Sequence, residues 1–197
     1  MTPLPDQAEQ VRAFVAAPLA DEALDYLRRV QTRLQRHGGD VHWIAPCNLH
    51  LTLVFLGEIP PTIIAPLTTA LDQVATNFQP LTLGIGGVSS FGAHGRPRVI
   101  WAGLTGQIAA LARLAGAVRA AAERYDIRVD DRQFVPHITL GRTRRGRRSP
   151  QWATALSQPL NWPAPEFRVQ EICLIRSRLT SQGATYSLLH SSPLAAL

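Results

Sequence analysis

The chain of 197 residues contains no lysine; all 20 of its Lys and Arg positions are arginine. No step of its chemistry can therefore use a lysine amine, and every permanently positive side chain is a planar guanidinium suited to bidentate phosphate contacts. Cysteine is nearly missing as well. The two present, Cys47 and Cys173, form neither a CxxC pair nor a metal-ligand spacing, which excludes a cysteine-based zinc site and a disulfide framework. Each is expected to be a buried, reduced thiol. No apolar run approaches the roughly 20 residues needed to cross a bilayer. The first 22 residues lack a basic n-region, so neither a signal peptide nor a lipid anchor is expected and the cytoplasm is the default location.

What is present fits a soluble globular protein: 46% of residues are hydrophobic, and the formal charge of +6 is compatible with a polyanionic partner. Hydrophobic periodicity predicts a strand over 11–17 and a helix over 21–36, with Ala23, Leu24, Leu27, Val30 and Leu34 on its apolar face. A short strand over 41–44 follows, then a strong one over 49–56 closed by Gly57. Pro61 opens a helix to about residue 77. Strands are expected over 81–88 and 99–104, joined by a loop from Phe91 to Arg98, and a helix over 106–125. A strand over 134–141, a basic loop over 142–148 and a closing hairpin over 169–179 and 186–190 complete the chain. Helices alternating with strand pairs favour an α+β fold with antiparallel sheet. No linker divides the halves, so residues 1–197 are expected to form one domain of two lobes.

One short pattern occurs twice. His50-Leu51-Thr52-Leu53 is echoed 87 residues later by His137-Ile138-Thr139-Leu140. Side chains at i and i+2 of a strand share a face, roughly 6.6 Å apart along the backbone. Each strand thus presents an imidazole and a hydroxyl on one face and apolar residues on the other. Two imidazoles can divide acid and base work near neutral pH, and two Thr hydroxyls can donate to non-bridging phosphate oxygens. This set suits displacement at phosphorus by water. Neither motif is HExxH, and neither contains Asp or Glu, so no metal site is expected.

The paired motifs resemble those of the 2H phosphoesterase superfamily. The wider pattern resembles the RNA 2′,3′-cyclic phosphodiesterases, also called 2′-5′ RNA ligases. The resemblance is carried by 12–16 (RAFVA), 48–58 (NLHLTLVFLGE), 134–142 (FVPHITLGR) and the C-terminal Ser177, Gly183, Tyr186 and Leu189. It implies a bilobal α+β fold, two antiparallel sheets with flanking helices around a central cleft. It implies metal-independent, cofactor-free hydrolysis of the 2′,3′-cyclic phosphodiester at RNA ends to a 2′-phosphomonoester, with reversible 2′-5′ ligation. His50 would protonate the leaving O3′, His137 would deprotonate the attacking water, and Thr52, Thr139 and Arg142 would hold the phosphate. In an unbroken strand Arg142 would face away from His137; a bulge or strand end at Gly141 would relieve this. The partner implied is RNA ending in a 2′,3′-cyclic phosphate, tRNA halves included, with no membrane and a monomeric protein.

Other features leave alternatives open. Arg144, Arg145, Arg147 and Arg148 are either a solvated loop or an electrostatic guide for RNA. Phe55 is read as core from its parity, although it could stack on a base. His37, His42, His94 and His190 are read as structural or surface residues, and Trp43, Trp101, Trp152 and Trp162 as packing. A 2H esterase for small cyclic nucleotides or ADP-ribose cyclic phosphate remains an alternative, as does a non-catalytic RNA-binding protein.

Overall fold

The computed structural model describes residues 10–38, 40–93, 96–129, 133–143, 150–158, 160, 162–181 and 183–196. The basic segment holding Arg144, Arg145, Arg147 and Arg148 lies outside these residues, as does His94. In chain order the elements are β1 (Val11–Ala17), α1 (Asp21–Gln35), β2 (Val41–Trp43), β3 (Leu51–Ile59), α2 (Ile64–Ala75), β4 (Leu81–Ala93), β5 (Arg96–Gly106), α3 (Ile108–Glu123), β6 (His137–Thr143), α4 (Pro150–Ser157), β7 (Glu166–Val169), β8 (Glu171–Thr180) and β9 (Gly183–Pro193).

The strands pair in the order β7-β4-β5-β6-β3-β1-β8-β9, with β2 also on β6, and every pairing is antiparallel. The expected two sheets are therefore one continuous ladder pinched at its middle. β9-β8-β1-β3 forms one half, and β6 with β5, β4, β7 and β2 the other. Among the described residues, the halves pair through one rung, Leu51 opposite Ile138. Both are fully buried.

The expected α+β alternation is present, with differences at the edges. The helical period of α1 buries Ala23, Leu27, Val30 and Leu34 as read from the sequence, and also Tyr26 and Gln31. Gly57 does not end β3; with φ +72° it sits inside a bulged stretch of that strand. The expected loop from Phe91 to Arg98 is largely strand, because β4 and β5 pair out to Ala93 and Arg96. Helix α4 and strand β7 are additions to the elements expected from the sequence. Cys47 is exposed, against expectation, because the 3-10 turn Pro46–Asn48 holds it at the surface; Cys173 is buried. Burial, with the negative Glu171 nearby, pushes the Cys173 thiol up to about 11. Among the described residues no helix is long and apolar enough to cross a membrane.

Bulges decide which residues reach the cleft. Against β1, strand β3 carries unmatched residues at Leu56 and Leu53. Against β5, strand β6 carries one at Leu140. An inserted residue reverses the face of everything beyond it. Phe55 therefore lands on the face of Thr52, and Arg142 on the face of Thr139. Gly141 permits the second bulge because a Cβ there would lie 2.7 Å from Val41 Cγ1 and 3.0 Å from Trp43 Cε3. From beneath, Gln31 Nε2 donates to the carbonyls of Leu140 at 2.9 Å and Ile44 at 2.8 Å.

Gln31 is 5% exposed, so its removal leaves the Ile44 carbonyl without its side-chain donor in a dry setting. Gln31→Leu should lower stability by about 1–3 kcal/mol, the usual cost of an unsatisfied buried polar group. Equilibrium denaturation measures this. An unchanged midpoint and slope would show that the bulge does not depend on Gln31.

Candidate active site

The pairing of Leu51 with Ile138 sets the site. In an antiparallel pair, carrying the register one residue either way sets His50 toward Thr139 and Thr52 toward His137. By register, each hydroxyl thus stands across the strands from the opposite motif's imidazole. Leu49, Leu51, Leu53, Ile138 and Leu140 are all buried behind them, as the alternation predicts.

The two histidines are anchored in the same way. His50 Nδ1 lies 2.7 Å from the Asn48 carbonyl, and His137 Nδ1 lies 2.7 Å from the Val135 carbonyl. A carbonyl oxygen only accepts, so Nδ1 carries the hydrogen in both rings and Nε2 is left for chemistry. Asn48 is itself tied down, its Nδ2 donating to the Ala184 carbonyl at 3.1 Å.

Aromatic rings hold each imidazole from the side. Phe14 stacks on His50 at 4.8 Å between centroids, and Tyr186 meets it edge-on at 5.3 Å. Phe91 lies edge-on to His137 at 5.0 Å, with Trp101 at 5.9 Å. Phe14 and Tyr186 belong to the segments that carry the family resemblance. Phe91 and Trp101 are site residues that the sequence does not announce, Trp101 reading there as packing. The cross-strand pairing of Trp101 with Thr139 brings Trp101 beside the motif, and Phe91 packs on Trp101 at 5.1 Å; no local pattern carries that information.

The site lies where two cavities meet. One, of about 390 Å³, is lined by His50, Arg12, Asn48, Ser177 and Tyr186. The other, of about 560 Å³, is lined by His137, Phe91, Phe134, Val135 and one face of α3. Thr52, Thr139, Arg142 and Phe55 line both. Phe55 is 53% exposed, which corrects its reading as core. It is the counterpart of Arg142: each stands three residues after its motif's Thr, beyond a bulged Leu.

Burial pushes both imidazoles below their ordinary value, while the carbonyl bonds pull the other way. The Arg142 guanidinium lowers both further, and His50 also feels the charge of His137. Burial raises the Tyr186 phenol, against the charges of Arg142 and Arg12. One guanidinium thus acts on three groups around a single junction. At that junction two threonine hydroxyls and an arginine can hold an anion between two imidazoles. Among the described residues no three of His, Cys, Asp and Glu cluster as a metal site would need. His190 lies elsewhere, its Nε2 2.7 Å from Asp72 on α2.

The chain is similar in sequence and fold to several known proteins. An RNA 2′,3′-cyclic phosphodiesterase of Archaeoglobus fulgidus is 32% identical over 176 residues, covering 89% of this chain and 96% of the relative. One of Geobacillus stearothermophilus is 32% identical over 92% of this chain, which spans 56% of that longer relative. A crystal structure of a Thermus thermophilus protein superposes with TM-score 0.76 at 28% identity, covering 93% of this chain and 97% of the other. E. coli LigT complexed with 3′-AMP gives TM-score 0.69 at 26% identity, covering 95% and 100%. The sequence model of the 2′-5′ RNA ligase superfamily matches residues 18–180, more than four-fifths of the length, and the chain belongs to that family.

Proposed function

We propose that the protein hydrolyses the 2′,3′-cyclic phosphodiester at RNA ends to a 2′-phosphomonoester, with His50 as general acid and His137 as general base. The observation that carries this reading is the pair of imidazoles, each with Nδ1 committed to a backbone carbonyl, on either side of Thr52, Thr139 and Arg142. The names of the relatives support the substrate class.

The cyclic phosphate binds with its non-bridging oxygens on the two hydroxyls and the guanidinium. Water on the His137 side gives a proton to Nε2 as its oxygen bonds to phosphorus. The P–O3′ bond breaks on the opposite side, and O3′ takes a proton from His50 Nε2. The 2′-phosphate leaves, and solvent exchange resets the two rings. RNA with such ends, tRNA halves included, is the partner of a monomeric, two-lobed single domain.

Burial holds both imidazoles below their ordinary value, which favours the neutral form of both rings in the free protein. The acid must therefore gain a proton, and the negative substrate favours this once bound. The profile of kcat/KM reports the free enzyme and that of kcat the complex. The kcat/KM bell should peak on the acid side of the ordinary histidine range, with the kcat optimum at higher pH. Arg142→Gln removes a positive charge that lowers both rings, so it should move the kcat/KM bell upward while weakening binding. A bell that stays in place or moves down would contradict the placement of Arg142.

Turnover should survive EDTA, since two imidazoles share the proton work. His50→Ala and His137→Ala should each lose about 10²–10⁴-fold in kcat while remaining folded. The double variant should be little worse than either single one, because the pair acts as a unit. Loss on chelation that a divalent ion restores, or near-normal turnover by either single variant, would overturn the mechanism.

A further inference from the structure

The hydrolysis leaves one cationic feature unused. Arg28, Arg29, Thr32, Arg33 and Arg36, from α1 and its C-terminal cap, line a cavity of about 500 Å³ together with Trp162. It shares no residue with the two cavities of the cleft. At 3.6 residues per turn, Arg29, Arg33 and Arg36 stand roughly 140–200° round the helix from Gln31. Gln31 is tied to the carbonyls of Ile44 and Leu140, so these arginines face outward from the back of the half that carries His137.

The needs of the helix do not account for them. Cations are favoured at a helix C-terminus, but the effect fades beyond the last turn, and Arg28 and Arg29 lie in the middle of α1. The acidic Asp21 and Glu22 stand in its first turn. Asp25 pairs with Arg28 at 2.8 Å, and Arg33 donates to Gln158 at 3.2 Å. Among the described residues, Arg29 and Arg36 have no carboxylate partner.

Trp162 makes the group more than a charged helix face. Its indole meets Tyr26 edge-on at 6.2 Å. The guanidinium carbons of Arg29 and Arg33 lie over it, 4.8 and 5.7 Å from the ring centroid. A ring beneath a guanidinium orders it and leaves its N–H fork for a phosphate. From Arg28 to Arg36 the stripe runs about 12 Å, the axial length of about three phosphates on one strand of a duplex. A row at that spacing suits consecutive phosphates rather than a single anion.

We infer that the stripe binds the sugar-phosphate backbone of the RNA whose cyclic end occupies the cleft, at a part of the molecule remote from that end. The identity of the polyanion rests on the hydrolytic reading above. A helix and a sheet layer, about 20 Å in all, separate stripe and cleft. A dinucleotide cannot touch both; a folded RNA can. The stripe thus adds affinity for long RNA and leaves the chemistry alone.

The test compares a dinucleotide 2′,3′-cyclic phosphate with a stem-loop RNA ending in the same dinucleotide. Binding of the stem-loop is measured on its 2′-phosphate form, which does not turn over, across a salt series. Arg29→Gln combined with Arg36→Gln should weaken that binding at least tenfold at low salt. It should also reduce the slope of log affinity against log salt by about one per arginine. For the dinucleotide, kcat and KM should stay within twofold. Arg29→Lys combined with Arg36→Lys keeps both charges and should return the slope. Unchanged stem-loop affinity and slope in the glutamine variant would overturn the inference. So would an equal loss on the dinucleotide, which would place the effect in the cleft, or a slope that lysine does not return. Wild-type protein that binds the stem-loop with the expected slope, yet leaves the dinucleotide cyclic phosphate intact, would instead refute the hydrolytic reading.

Discussion

Everything in the site depends on one pair of buried residues. Among the described residues, Leu51 and Ile138 form the single rung between β3 and β6, and through it the two half-sheets become one. Because the strands run antiparallel, that rung crosses the two motifs and sets each imidazole's register opposite the other motif's threonine. A slip of one residue would turn either histidine into the core and a leucine into the cleft. The burial of Leu49, Leu51 and Leu53 on one side, and of Ile138 and Leu140 on the other, opposes such a slip.

On this frame the two imidazoles are alike in anchoring and unlike in surroundings. Each spends Nδ1 on the carbonyl two residues before it. His50 is stacked on Phe14, which is itself 2% exposed, and sits beside a phenol. His137 is approached edge-on by Phe91 and borders the wider arm. Environments that differ around chemically identical groups are the usual means of dividing acid from base. Arg142 ties the halves together electrically, since its charge acts on both rings and on Tyr186.

Much of this is legible in the sequence, because alternation in a strand is a local property. The polar face of His50 and Thr52, its repeat at His137 and Thr139, and the buried face of α1 follow directly from periods of 2 and 3.6. Phe55 defeats parity counting, which assumes an unbroken strand, because Leu53 is an unmatched residue. Arg142 is more readily placed because Gly141 marks its bulge by composition. Gln31, Phe91 and Trp101 act across elements distant in sequence, where no local period reports. The single ladder in place of two sheets has the same origin: one rung between distant strands leaves no pattern in either.

The proposed division of acid from base requires both rings to present Nε2, rather than Nδ1, to the substrate. Nitrogen-15 NMR of the histidine side chains reads this directly, with His50→Ala and His137→Ala assigning the signals. At a pH above both titrations, each ring should show a protonated Nδ1 and a bare Nε2. A bare Nδ1 on either ring would mean that the backbone carbonyl does not hold it, and the acid/base division built on that anchoring would fail.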